Sequence, residues 1–124
     1  MLEAIVELLK EIEHGELGSM PSDPDNLFVL NYAGGNLPTR SLGKKKPFIT
    51  EPQIQLRIRN KSYYLAFQKM EAILNVIEGY SGDLGGENVK LIKKNGEVMY
   101  MGRDENNRAE FSINLIAMLQ KSDS

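Results

Sequence analysis

Residues 51–77 change their hydrophobic period without a break. Ile54, Leu56 and Ile58 alternate with Gln53, Gln55, Arg57 and Arg59, the two-residue repeat of a strand with one face buried. From Tyr64 the apolar residues recur every three or four, at Phe67, Met70, Ile73, Leu74 and Ile77, which is one face of a helix. Arg59-Asn60-Lys61-Ser62-Tyr63 joins the two with almost no loop. The spacing predicts a strand over 53–59 and a helix over 61–78, ended by Gly79.

Leu2, Ile5, Val6, Leu8, Leu9 and Ile12 form an apolar stripe, so a first helix is expected over 2–13, with His14 and Gly15 at its end. Met20-Pro21-Ser22-Asp23-Pro24-Asp25-Asn26 is turn chemistry. Leu27 to Tyr32 reads as a short strand. Residues 34–51 lack periodicity, contain Gly34, Gly35, Pro38, Gly43 and Pro47, and read as one long loop. Val89–Lys93 and Glu97–Met101 flank Asn95-Gly96, the dipeptide of a type I′ turn, so a β-hairpin is expected there. A second turn at Asp104–Asn107 precedes a long strand over 108–118, in which Ala109, Phe111, Ile113, Leu115 and Ala117 alternate with Glu110, Ser112 and Asn114. The expected fold is α+β: one domain over 1–124, with a mainly antiparallel sheet of four to five strands and both helices on one face.

Composition narrows the function. The 124 residues include 41% hydrophobic side chains, enough for a modest core, and a formal net charge of −2, which argues against a dedicated nucleic-acid binder. There is no cysteine, hence no disulfide, thiolate metal site or cysteine nucleophile. Glu3, Glu7, Lys10 and Glu11 interrupt the first apolar stripe, so it does not read as a signal peptide, and no stretch approaches the roughly 20 apolar residues of a membrane span.

No catalytic constellation emerges. His14 is the only histidine and reads as a helix-end or solvated residue. Asp23, Asp25 and Asn26 lack the glycine and closing glutamate of a calcium loop, and Gly43-Lys44 lacks the rest of a phosphate-binding loop. No acid–base pair has a defined spacing, so neither enzyme chemistry, metal nor cofactor is expected. The charged candidates are the basic group Arg40, Lys44, Lys45 and Lys46, the pair Arg57 and Arg59 on the strand face opposite Ile54, Leu56 and Ile58, and the turn residues Asp104, Glu105 and Arg108. Arg57 and Arg59, roughly 7 Å apart along a strand, fit a solvated sheet face or a subunit interface with Asp104 and Glu105 of a neighbouring copy as the acidic counterpart; nucleic acid is a third reading, poorly supported because Phe48 is the one aromatic of the loop.

Collinear segments then point to a family. Met20-Pro21-Ser22-Asp23-Pro24-Asp25-Asn26-Leu27-Phe28-Val29-Leu30-Asn31-Tyr32-Ala33-Gly34-Gly35, Pro52-Gln53-Ile54-Gln55-Leu56-Arg57-Ile58-Arg59, Tyr63-Tyr64-Leu65-Ala66 and Gly102-Arg103 through Asn114 together resemble the tail terminator, or minor capsid, proteins of long-tailed phages. The resemblance implies a homo-oligomer, a ring of six copies at the head-proximal end of the tail tube. Such a ring stops tube growth, docks the head connector and lets DNA pass without specific binding. It implies a virion location at the head–tail junction, assembly in a host bacterial cytoplasm, and no membrane. It transfers no catalytic residues. A neighbouring head–tail connector and a cytosolic dimeric adaptor are the rival readings.

Overall fold

The computed structural model of the chain describes residues 1–39 and 48–121. In chain order the elements are α1 (Leu2–Leu9), β1 (Gly15–Leu17), β2 (Leu27–Thr39), β3 (Phe48–Asn60), α2 (Tyr63–Ile77), β4 (Gly82–Leu84), β5 (Glu87–Lys94), β6 (Met99–Arg103) and β7 (Ala109–Lys121). Seven strands form one sheet in the order β1-β2-β3-β7-β5-β4, with β6 also on β7. The sheet is mixed, because β1 runs parallel to β2 while every other pairing is antiparallel. It is therefore larger than the four to five strands expected. The added strands, β1 and β4, are three residues each, too short to carry a readable period.

The alternation in β3 and β7 does what its pattern requires. Phe28, Ile58 and Phe111 stand in one cross-strand row, and Leu30, Leu56 and Ile113 in the next. All six are at most 3% exposed. Their face of the sheet carries Leu2, Ile5 and Leu9 of α1 and Ala66, Met70, Ile73, Leu74 and Ile77 of α2, which join the same core. Fully burying each large side chain contributes about 1.5–3 kcal/mol. The buried stripe of α2 is headed by Ala66 rather than Phe67, which is exposed. The helix starts cleanly because the Ser62 hydroxyl accepts from the Leu65 N–H (3.3 Å) and Asn60 Oδ1 accepts from the Ser62 N–H (2.8 Å). Lys69 Nζ of α2 donates to the Ile12 carbonyl (2.6 Å), satisfying a group just past the end of α1.

Three expectations change. Residues 34–39 and 48–51 are strand, not loop: β2 and β3 stay paired as far as Thr39 and Ile49, through register shifts on either side of Gly35 and Asn36. Glycines at such irregularities look like a loop in sequence. Asn95-Gly96 does not turn a hairpin. β5 pairs with Leu115–Gln120 and β6 with Ala109–Ser112, so the two lie end to end along the same border of β7. Gly96 uses its positive φ of 112° in an outward bulge between them, and the Asn95 N–H still bonds to the Asn114 carbonyl (2.8 Å). The 13 residues of β7 are long enough to take both strands in line. Finally, α1 is shorter than expected, and His14 lies beyond it, with its ring 2.9 Å from Glu16.

The sheet is strongly curled. At Gly85, in the β4–β5 turn, a Cβ would sit 3.5 Å from that of Ala4, so the far border of the sheet folds back onto α1. Among the described residues no helix is long and apolar enough to cross a membrane.

Candidate functional site

β3 ends by presenting Arg59 to the face opposite the helices. The guanidinium is 2% exposed. It is surrounded by main-chain carbonyls of the turn before β2: Nη1 donates to Pro21 (2.7 Å), Nε to Asp25 (3.1 Å), and Nη2 to Ser22 (3.4 Å) and Pro24. The Asp23–Pro24 peptide in this turn is cis. Arg108, from the turn between β6 and β7, closes on the same segment and is 4% exposed. Its Nη1 donates to the Ser22 carbonyl (2.7 Å) and to Asp25 Oδ1 (3.2 Å), and its Nε to Asp104 Oδ2 (2.8 Å).

Asp104 holds its own turn as well. Its Oδ1 accepts from the N–H groups of Asn106 (3.0 Å) and Arg108 (2.9 Å), and Asn107 takes the left-handed conformation at φ 62°. Lys61 Nζ, 3.3 Å from Asp25 Oδ2, and the Lys61 N–H on Asn26 Oδ1 (3.1 Å) tie the turn to the start of α2. Three cations, Arg59, Arg108 and Lys61, are thereby gathered with two carboxylates, Asp25 and Asp104, in one small volume. The hydrogen bond from Lys61, helped by Arg108, holds the Asp25 carboxyl below the ordinary value. Burial raises Asp104, but the N–H and side chain of Arg108 and the N–H of Asn106 together outweigh it, and its pKa is also lowered. Burial and the nearby charge of Arg108 lower Arg59.

The nine charged candidates thus separate. Arg59, Asp104 and Arg108 meet around residues 21–25, with their donors and acceptors engaged inside the chain. Arg57 does not join them. It is half-buried on the same sheet face and donates to Glu110 Oε1 of β7 (3.0 Å). Glu105 is exposed at the turn. Arg40, Lys44, Lys45 and Lys46 lie outside the described residues. The expectation treated Arg57 and Arg59 as equivalent, and burial distinguishes them, because the proline-rich turn covers one end of that face. Among the described residues no group of three or more His, Cys, Asp or Glu is placed to hold a metal ion. The cluster as built fastens the loop of residues 21–25.

Sequence reasoning missed a second surface, where α2 begins beside β6. Phe111, 3% exposed, is the hub of a ring cluster. Tyr63 and Tyr100 each lie 5.2 Å from it between centroids and 5.0 Å from each other, with Phe67 at 5.9 Å. Tyr64 stacks edge-on to Tyr63 at 5.6 Å. Around this hub the outer rings stay accessible, Tyr64 at 76%, and β6 adds Met99 at 62% and Met101 at 57%. The signal was partial: Tyr64 falls out of phase with Ala66, Met70 and Ile73, whereas Tyr63, three residues before Ala66, is in phase with them.

The profile described as bacteriophage tail terminator protein matches residues 7–121, nearly the whole chain. The chain belongs to the bacteriophage tail terminator family. The recognition made from the Pro-Asp turn, the arginine strand and the Tyr-Tyr helix start is therefore correct, and it places the chain among structural tail proteins of phage. Among solved structures the chain is similar to a component of the virion of a native gene transfer agent particle, with a TM-score of 0.62 and 9% identity over 94% of this chain and 84% of the other. At that identity the likeness is one of fold. No curated protein matches the sequence. Within this family the Arg59 cluster acquires a context: it lies in the segment Met20 to Asn26 and the turn before β7, two of the stretches on which the recognition rested.

Proposed function

We propose that this tail terminator assembles head to tail into a closed ring of six copies. The ring caps the head-proximal end of the tail tube, stops its growth and offers the head connector a docking face, and DNA passes through it unbound. The observation that carries this reading is the family match over residues 7–121. The chemistry supports a structural role. Asp25, Arg59, Asp104 and Arg108, whose surroundings shift their pKa values, are engaged in fastening the 21–25 turn. Of the charged candidates among the described residues, Arg57 and Glu105 remain accessible to a neighbouring copy. Arg59 and Arg108 act on assembly through the shape of the loop they hold. A subunit interface between identical chains that is not self-complementary closes into a ring when its rotation closes.

The test is to mix the purified protein with purified tail tubes and image them by negative-stain electron microscopy. A ring on one end of each tube, with elongation halted on adding more tube subunits, is expected. Tubes that keep growing with unattached particles beside them would refute the reading.

A further inference from the structure

Two apolar patches lie on opposite borders of the sheet. At one border β6 has β7 as its one strand partner among the described residues, so its outer backbone edge is open. Beside that edge stand Tyr63, Tyr64 and Phe67 of α2 and Met99, Tyr100 and Met101 of β6, all exposed large side chains. The ring contacts to Phe111 hold the tyrosines in place before any partner arrives, and rigid aromatic anchors of this kind are enriched at the centres of protein interfaces. Methionines at the margin adapt to an opposing shape. Along residues 93–103, Lys93, Lys94 and Arg103 outnumber Glu97, with Lys94 also paired to Glu78 (3.9 Å).

At the other border α1, β1 and the open edge of β2 expose Leu8, Leu17 and Tyr32. Among the described residues β1 covers β2 only from Phe28 to Leu30, and no strand pairs with that edge of β2 beyond it. This border is acidic: Glu3, Glu7, Glu11, Glu13 and Glu16 outnumber Lys10 and Lys69, whose ammonium reaches the Ile12 carbonyl. The two borders therefore match in three respects: each has an apolar centre, each has an open strand edge, and their charges are opposite. The two surfaces are built from different residues, so a contact between one copy's and the next copy's leaves one unused surface at each end of an open chain of copies.

We propose that the acidic α1–β1–β2 border of one copy seats on the aromatic–methionine patch at β6 and α2 of the next, and that this contact joins the copies of the ring. The inference rests on the ring reading above and specifies its interface. Open strand edges flanked by apolar side chains are templates for pairing with another chain, and charge complementarity selects the orientation.

Two double variants test it, Tyr64→Glu with Met101→Glu on the patch and Glu3→Lys with Glu7→Lys on the acidic border. Each changes exposed side chains, and circular dichroism checks that each is folded; Met99→Glu alone replaces the first if that variant is not. Mass photometry is run on each, with and without tail tubes. Each variant alone is expected to remain monomeric where the wild type assembles, with association weakened by roughly tenfold or more per anchor. An equal mixture is expected to give heterodimers and nothing larger, because each variant contributes its one intact border. Variants that assemble like the wild type would overturn this interface while leaving a tube-capping wild type, and hence the ring reading, intact. Loss of tube binding by the patch variant without heterodimers in the mixture would instead assign the patch to the tail tube subunit. A wild type that neither assembles nor caps tubes would remove both readings.

Discussion

Arg59 and Arg108 donate to the same acceptor, the carbonyl oxygen of Ser22, from two different strands' ends. Two buried guanidiniums side by side repel, and the effect is visible in Arg59, whose pKa is lowered first by burial and then by the charge of Arg108. The carbonyls of residues 21–25 and the carboxylates of Asp25 and Asp104 offset that repulsion. The turn before β2 is thus held by side chains rather than by a ladder of its own.

Replacing Arg59 is expected to loosen this turn. Arg59→Met keeps the length of the stem but takes the guanidinium from the carbonyls of Pro21, Pro24 and Asp25, while Ser22 keeps Arg108, which costs about 2–4 kcal/mol. Arg59→Lys restores little of it, since one ammonium cannot reach acceptors spread around a fork. Urea denaturation measures both; midpoints equal to wild type would disprove the account.

Acid is expected to act through Asp25 and Asp104. Both have folded-state pKa values below the ordinary 3.8. A carboxylate of lowered pKa stabilises the fold fully above its unfolded pKa, and that contribution is lost as pH falls through the folded value. Stability from these groups is therefore constant above about pH 5 and declines below about pH 4. The double variant Asp25→Asn with Asp104→Asn is expected to be less stable at neutral pH and to lose less on acidification. Parallel stability-versus-pH curves for the two proteins would count against it.

Gly15 is a test of close packing. A Cβ there would lie 2.2 Å from Cζ of Phe28 and under 3 Å from two more ring carbons. Phe28 is fully buried and cannot swing away. Gly15→Ala is expected to destabilise by about 1–3 kcal/mol through overpacking, read as a lowered melting temperature. An unchanged melting temperature would mean that β1 shifts freely.

Tyr63 and Tyr64 are adjacent and are expected to behave differently. Tyr63 packs on Phe111 and Tyr100, so Tyr63→Ala lowers stability by about 1–3 kcal/mol. Tyr64 is mostly exposed, and Tyr64→Ala leaves the melting temperature within about 0.5 kcal/mol of wild type in equivalent stability. Thermal unfolding of the two single variants decides; equal losses would contradict the assigned packing.

The elements with long, regular repeats were legible in the sequence: α2, β3 and β7 carry their burial pattern in their residues. What was not legible depends on neighbours. Asn95-Gly96 has the residues of a hairpin, and only the length of β7, able to pair with β5 and β6 in line, makes it a bulge. Gly34-Gly35 looks like a loop because strand irregularities and loops use the same glycine freedom. Arg57 and Arg59 look alike because strand alternation gives a face and says nothing of what covers it; the turn at residues 21–25 covers Arg59 and leaves Arg57 with Glu110. Tyr64 and Phe67 were assigned to the buried stripe of α2, since an aromatic one position out of phase is as apolar as one in phase.

β7 stands between the two halves of the sheet, pairing β3 on one side and β5 and β6 on the other. A nascent chain that has not yet released Ala109 to Lys121 holds two partial sheets with no common member, and β6 has no strand to lie on. The surface assigned to the neighbouring subunit comes into being last. A chain terminated before Ala109 would therefore lack the strand on which β6 and its patch are laid down.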